Sequence, residues 1–315
     1  MKESEITELE FIMQTTEKLE CVEKNAIVNN IRLTYFERGI EFRGLKPTLL
    51  FVHATGFHGR IWDKIIKSLG DFHSISIDQR GHGRSEKQKI QHWNEVVTDT
   101  SDLIEQLELA EIIAIGHSMG GHALIGAAAK AEHRFSRIIA IDPVIPEEAA
   151  FTDEAQSPFN EAKQHPTSKR RNNFDSPEEM AERLTPKGSF GLFDPEMMLD
   201  YCRYGLLPNE KGKGYVLACP PEIEASVYTS SRSNHDIYDA VRSLEIPVLI
   251  IRAKQPPKNR NLMDFSSSPT APTLVSEFKN GREIHFADKT HFLPMEIPEE
   301  ITKIIELEIK AALSE

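Results

Sequence analysis

The hexapeptide Gly116-His117-Ser118-Met119-Gly120-Gly121 constrains this chain more than any other stretch. It follows a β-branched run, residues 111–115 (EIIAI), and precedes an alanine-rich run, residues 122–131 (HALIGAAAKA). Glycines two before and two after the serine let backbone segments approach without a Cβ in the way, so a strand can turn sharply into a helix. Such a turn exposes Ser118 Oγ at the carboxyl edge of a sheet. It also puts the Met119 backbone N–H at a helix N-terminus, where the dipole favours developing negative charge. A glycine-rich turn with an incidental serine is the bland alternative, and the flanking strand and helix weigh against it.

The rest of the chain supplies the sheet that such a turn requires. Short, mostly β-branched runs occur at 48–53, 73–78, 111–116, 137–142, 247–252 and 282–288. Several are apolar at nearly every position, as strands buried on both faces are. Residues 93–107 place Trp93, Val96, Val97, Ile104 and Leu107 at helical spacing, and residues 298–313 do the same with Ile301, Ile304, Ile305 and Ala312. Two alternating segments around Asn29-Asn30 predict an opening hairpin, because asparagine tolerates the positive φ of a tight turn. A hairpin followed by alternating strands and helices predicts an α/β fold with a mostly parallel sheet and helices on both faces. Residues 145–245 break the alternation and read as an insertion. Residues 1–20 read as a charged extension.

The charge balance excludes some functions. With 37 Lys+Arg against 49 Asp+Glu, the chain of 315 residues carries −12, which argues against nucleic acid as a partner, since phosphate recognition needs a clustered basic surface. No apolar run approaches the ~18 residues of a membrane span, and the first twenty residues lack the pattern of an export signal, so a cytoplasmic location is expected. Cys21, Cys202 and Cys219 are too few and scattered for a disulfide framework or a zinc site. No metal-binding or nucleotide-binding motif is present, and no cofactor is expected.

A serine hydroxyl needs a base to become a nucleophile. His291, just past the last predicted strand and just before the C-terminal helix, is the candidate. With Ser118 upstream of it, the chain resembles an α/β-hydrolase-fold serine hydrolase over residues 21–313. Four segments carry the resemblance: Phe51-Val-His-Ala-Thr-Gly-Phe57, Asp78-Gln-Arg-Gly-His-Gly-Arg-Ser85, the Ser118 turn and the His291 segment. Ala54 stands where the family usually has a second glycine. The resemblance implies that the Thr55 and Met119 backbone N–H groups form an oxyanion hole, and that His53 orders its loop rather than moving protons.

The family usually places the triad acid a few residues beyond the strand ending at Arg252, and there this chain reads Ala253-Lys254-Gln255-Pro256. Two alternatives stay open. Asp142, at the end of the preceding strand, is preferred because a rigid strand end positions a carboxylate well; Asp264 lies in a long loop. The resemblance implies a core of 21–144 and 246–315 with a helical cap at 145–245. Phe190, Phe193, Met197, Met198, Tyr201 and Tyr204 either line an apolar pocket there or pack the cap itself. Lys169-Arg170-Arg171 reads as a solvated basic run, with an anionic substrate as the alternative. The expected reaction is hydrolysis of a small, partly apolar carboxylic ester through an acyl-enzyme. Lactone, thioester or C–C bond hydrolysis, acyl transfer and non-catalytic ligand binding are the rivals.

Overall fold

Asn29 and Asn30 turn the chain at φ 48° and 61°, the paired positive values of a two-residue hairpin whose twist suits its strands. They join β1 (Val22–Val28) to β2 (Ile31–Arg38), with Val28 opposite Ile31. The computed structural model describes residues 20–151, 159, 161–257 and 264–314; the extension expected at 1–20 lies outside them apart from Glu20.

The later strands are β3 (Thr48–Val52), β4 (Ser74–Asp78), β5 (Ile112–His117), β6 (Phe135–Ile141), three short ones, β7 (Asn173–Phe174), β8 (Leu206–Pro208) and β9 (Tyr215–Leu217), then β10 (Val248–Arg252) and β11 (Gly281–His285). The helices are α1 (Asp63–Leu69), α2 (Asn94–Gln106), α3 (Met119–Lys130), α4 (Pro177–Leu184), α5 (Pro195–Tyr204), α6 (Pro221–Thr229), α7 (Ile237–Ser243), α8 (Leu293–Glu296) and α9 (Pro298–Ala312). Eight strands form one sheet in the order β1-β2-β4-β3-β5-β6-β10-β11, parallel from β4 onward. β7, β9 and β8 form a separate small antiparallel sheet within the inserted segment, where helices alone were expected.

The strand period of two sorts the core into layers. Leu50, Val52, Ile112, Ala114, Ile138 and Ile250 face α2, α3 and α7, packing with Leu103, Leu124 and Val241. Leu49, Phe51, Ile113, Ile115, Ile139 and Ile251 face the opposite way, onto Ile65 of α1 and Ile301 and Ile305 of α9. β3 and β5 are buried along their whole length, which explains their unbroken apolar sequence. Ile237, Tyr238 and Val241 of α7 belong to the first layer. The last helix within residues 145–245 therefore lies against the sheet, and the segment above the sheet ends before it.

This topology brings the carboxyl ends of β3, β5, β6 and β10 side by side. In open parallel sheets such an edge is where ligands bind. No helix among the described residues is long and apolar enough to cross a membrane.

Candidate active site

The turn after β5 has the strained geometry that its glycines imply. Ser118 sits at φ 58°, ψ −117°, outside the regions open to ordinary residues; such positions cost ~1–3 kcal/mol and persist only where surroundings hold them. Here the Ser118 N–H donates to Ile141 O at 3.0 Å, and Ser118 O accepts from Val144 N–H at 3.2 Å. A Cβ on Gly120 would lie 2.2 Å from Val52 O, and one on Gly116 would lie 2.6 Å from Gly120 O. Both positions need glycine because backbone fills the space.

The structure brings Ser118, His291 and Asp142 together. Ser118 Oγ lies 3.0 Å from His291 Nε2, and His291 Nδ1 donates to Asp142 Oδ2 at 2.6 Å. All three are buried, Asp142 completely. The second carboxylate oxygen of Asp142 accepts from Ala253 N–H at 3.0 Å and Ser268 Oγ–H at 2.5 Å, with Thr270 Oγ1 at 3.3 Å. The Asp142 N–H donates to Ile251 O at 2.6 Å. Asp142 is thus fixed by β10 on one side and the 268–270 loop on the other. Asp264, the other acid considered, lines the same cavity but folds locally, with Oδ1 accepting from Ser266 N–H at 2.8 Å.

Thr55 and Met119 adjoin, with Thr55 Oγ1 3.7 Å from Met119 Sδ. Neither backbone N–H has an acceptor among the described residues, so two donors stand beside Ser118 without internal work. His53 is engaged at both ring nitrogens: Nδ1–H donates to Ala54 O at 2.7 Å, and Nε2 accepts from Gln79 N–H at 3.1 Å. Its place is in the loop's framework. Asp78 secures the neighbouring loop by accepting from Gly59 N–H at 2.6 Å and Arg84 N–H at 2.7 Å.

Sequence reasoning missed several groups. His117 Nε2–H donates to His291 O at 2.8 Å, and its ring lies 4.9 Å from the His291 ring. Burial, reinforced by the neighbouring His291, holds His117 neutral far below the usual histidine range, so it can position His291 without adding charge. His122, one turn after Ser118, bonds Val144 O at 3.1 Å and Asn234 at 2.9 Å, and burial lowers it to about 4. The Glu296 carboxylate accepts from Thr290 N–H at 2.9 Å and Thr290 Oγ1–H at 2.7 Å, bracing the His291 loop. The His117–His291 and His122–Asn234 contacts join residues far apart in sequence, and the local Thr290–Glu296 pair follows no pattern that spacing displays.

A cavity of about 990 Å³ opens over Ser118 and His291. Of the six cap residues with two possible roles, Phe190 and Tyr201 line it. Phe193, Met197 and Met198 are buried in the shared apolar cluster, while Tyr204 lies under the Arg60 guanidinium at 4.0 Å. The basic run divides similarly. Lys169 is exposed and Arg171 pairs with Glu179 at 2.9 Å. Arg170 lines the cavity, paired with Glu224 at 2.5 Å. Among the described residues, no group of three or more His, Cys, Asp or Glu is arranged to hold a metal ion.

This sheet and strand-edge site have the architecture of a hydrolase. The chain belongs to the α/β hydrolase fold family, whose profile matches residues 47–298. It is 34% identical over 118 residues to a 2-(acetamidomethylene)succinate hydrolase of Mesorhizobium japonicum, which covers 36% of this chain and 42% of that protein. It is 31% identical over 74 residues to the esterase YbfF of Escherichia coli, covering 24% of this chain and 29% of the esterase. The alignments thus span less than half of these relatives. A crystal structure of E-2-(acetamidomethylene)succinate hydrolase superposes with a TM-score of 0.71 at 22% identity, covering 92% of this chain and all of that one, a likeness of fold.

Proposed function

We propose that this chain is a serine hydrolase that cleaves a carboxylic ester through Ser118, His291 and Asp142 and an acyl-enzyme intermediate. One observation carries the reading: the continuous path from Ser118 Oγ to His291 Nε2 at 3.0 Å and from His291 Nδ1 to Asp142 at 2.6 Å.

In this reading, Ser118 Oγ attacks the ester carbonyl carbon while His291 Nε2 takes its proton. Asp142 holds the ring in the tautomer that presents Nε2 as acceptor and stabilises the imidazolium that forms. The carbonyl electron pair moves onto oxygen, which the Thr55 and Met119 N–H groups receive; one such donor is worth ~10²–10³ in rate. Collapse expels the alcohol, which takes the proton from His291. Water, deprotonated by the same histidine, then attacks the acyl-enzyme and releases the acid and free Ser118. The part of residues 145–245 that precedes α7 serves as the cap, with Phe190 and Tyr201 giving the cavity its apolar wall.

The esterase among the relatives supports the choice of an ester, and the other relative shows that the family reaches further. The test is therefore a panel of 4-nitrophenyl esters, lactones and thioesters, together with labelling by a fluorophosphonate probe. Wild type should label and turn over an ester, and Ser118→Ala should do neither while melting at the wild-type temperature. An unchanged rate in that variant overturns the mechanism. Labelled protein that turns over lactones or thioesters but no ester overturns the substrate class.

A further inference from the structure

The chain carries −12 overall, yet the cavity above Ser118 has the opposite balance. Its charged lining comprises Arg170, Lys187, Arg232 and Lys254 against Glu224 and Asp264. Glu224 is already committed, since its carboxylate pairs with Arg170 at 2.5 Å.

Lys254 is held through its backbone. Its backbone N–H donates to Lys289 O at 3.0 Å and its carbonyl accepts from Ser268 N–H at 2.8 Å. It is rooted between the loop carrying His291 and the loop carrying Ser268, the partner of Asp142. Its side chain is half-buried in the cavity wall, and its ammonium group has no acceptor among the described residues. Lys187, exposed and also lining the cavity, likewise has no side-chain partner among them. A cation held in a partly desolvated wall without a counter-ion is costly unless an anion comes to meet it. Arg170 is already spoken for: a Cβ on Gly56, next to Thr55, would lie 2.8 Å from Glu224 Oε1, so the Arg170–Glu224 pair rests against the Thr55 loop.

We propose that the substrate carries a carboxylate in addition to the scissile acyl group, and that Lys254 receives it. This deepens the ester-hydrolase reading and rests on it. Lys254 occupies the position where the resemblance led one to look for the triad acid. Asp142 supplies that carboxylate from the neighbouring strand, which leaves the end of β10 available to read substrate charge. The exposed Lys187 adds a positive potential that draws anions toward the cavity.

The test compares mono-4-nitrophenyl adipate with its neutral counterpart, methyl 4-nitrophenyl adipate. Wild type should favour the acid about 10–100-fold in kcat/KM, the usual worth of one charge-assisted bond. Lys254→Met should collapse that preference toward unity through KM, and Lys254→Arg should retain most of it. A wild-type preference near one, or a preference untouched by Lys254→Met, overturns the proposal. A second arm does not depend on turnover: free adipate and inorganic phosphate are titrated into Ser118→Ala by calorimetry, with and without Lys254→Met. Saturable adipate binding that Lys254→Met weakens supports the carboxylate even if no ester is cleaved. Binding of phosphate alone, or of neither, overturns it. Failure of ester hydrolysis itself shows separately, as wild type inert toward both esters and toward the fluorophosphonate probe.

Discussion

Ser268 Oγ–H donates to Asp142 Oδ1 at 2.5 Å, tying together residues 126 positions apart. The bond leaves Oδ2 alone to face His291, so the carboxylate cannot rotate to share its oxygens. An acid held this way is a rigid partner for the histidine. Asp142→Asn should therefore lower kcat by about 10⁴, the scale seen when the wrong histidine tautomer is imposed. Asp264→Asn should stay within a few-fold of wild type. Steady-state kinetics on one 4-nitrophenyl ester checks both, and a larger loss in Asp264→Asn reverses the assignment.

Removing the Ser268 hydroxyl tests the support rather than the acid. A hydrogen bond to a buried charge is worth ~1.5–3 kcal/mol, so Ser268→Ala should slow turnover by about 10–100-fold at nearly unchanged KM. Ser268→Thr should recover part of the loss. An equal fall in activity and soluble yield in both variants would mark Ser268 as a packing residue only.

Gly120 is the most confined of the turn glycines. A methyl group there meets Val52 O at 2.2 Å, and β3 is too deeply buried to move aside. Overpacking of this kind costs ~1–3 kcal/mol or more, and each kcal/mol is worth ~2–4 °C in a domain of ~150–250 residues. Gly120→Ala should melt several degrees below wild type. A melting temperature within a degree of wild type contradicts the packing argument.

Buried histidines make the fold sensitive to acid. Burial holds His58 at about 3 and His82 and His122 at about 4, while in an unfolded chain they titrate near 6.5. Between pH 6.5 and 4 the unfolded state binds more protons, so stability is greatest above 6.5 and drains away as pH falls. Asp200, pushed up to about 6 mainly by burial, has the opposite sign, as do the buried Asp78 and Glu224, but burial also lowers His53, His73, His117 and His165, so the histidines outnumber these carboxylates. The urea midpoint should decline from pH 6.5 to 4.5. His58→Gln should flatten that slope by up to one proton, ~1.4 kcal/mol per pH unit. A midpoint that is constant or rising toward acid pH refutes the linkage.

What could be read beforehand follows from the range of the interactions. The Asn29-Asn30 turn, the strands and the Ser118 turn depend on neighbours within a few residues, and spacing displays them. His291 was found by its place after the final strand. The choice between Asp142 and Asp264 stayed open because it turns on how the 264–270 loop folds back onto β6, which no local pattern records. His117 and Lys254 were invisible as site residues for the same reason: their partners in the His291 loop are set by tertiary packing. Phe193, Met197 and Met198 have the same periodicity whether they face a ligand or a core. α7 sits inside a stretch that reads as insertion, although its apolar face completes the layer under the sheet.

The apolar cluster beneath α5 bears on how a substrate arrives. Met197, Met198, Tyr201 and Cys202 are buried with Leu49, Phe51 and Trp62 in one continuous body. Swinging α5 aside strips water-excluded surface from all of them at once, at ~25 cal/mol for each Å² uncovered. A door anchored so firmly in the house does not open on every visit. The cavity above Ser118 is therefore reached past the side chains at its rim rather than through a hinge at α5, and those side chains determine how bulky a ligand it admits.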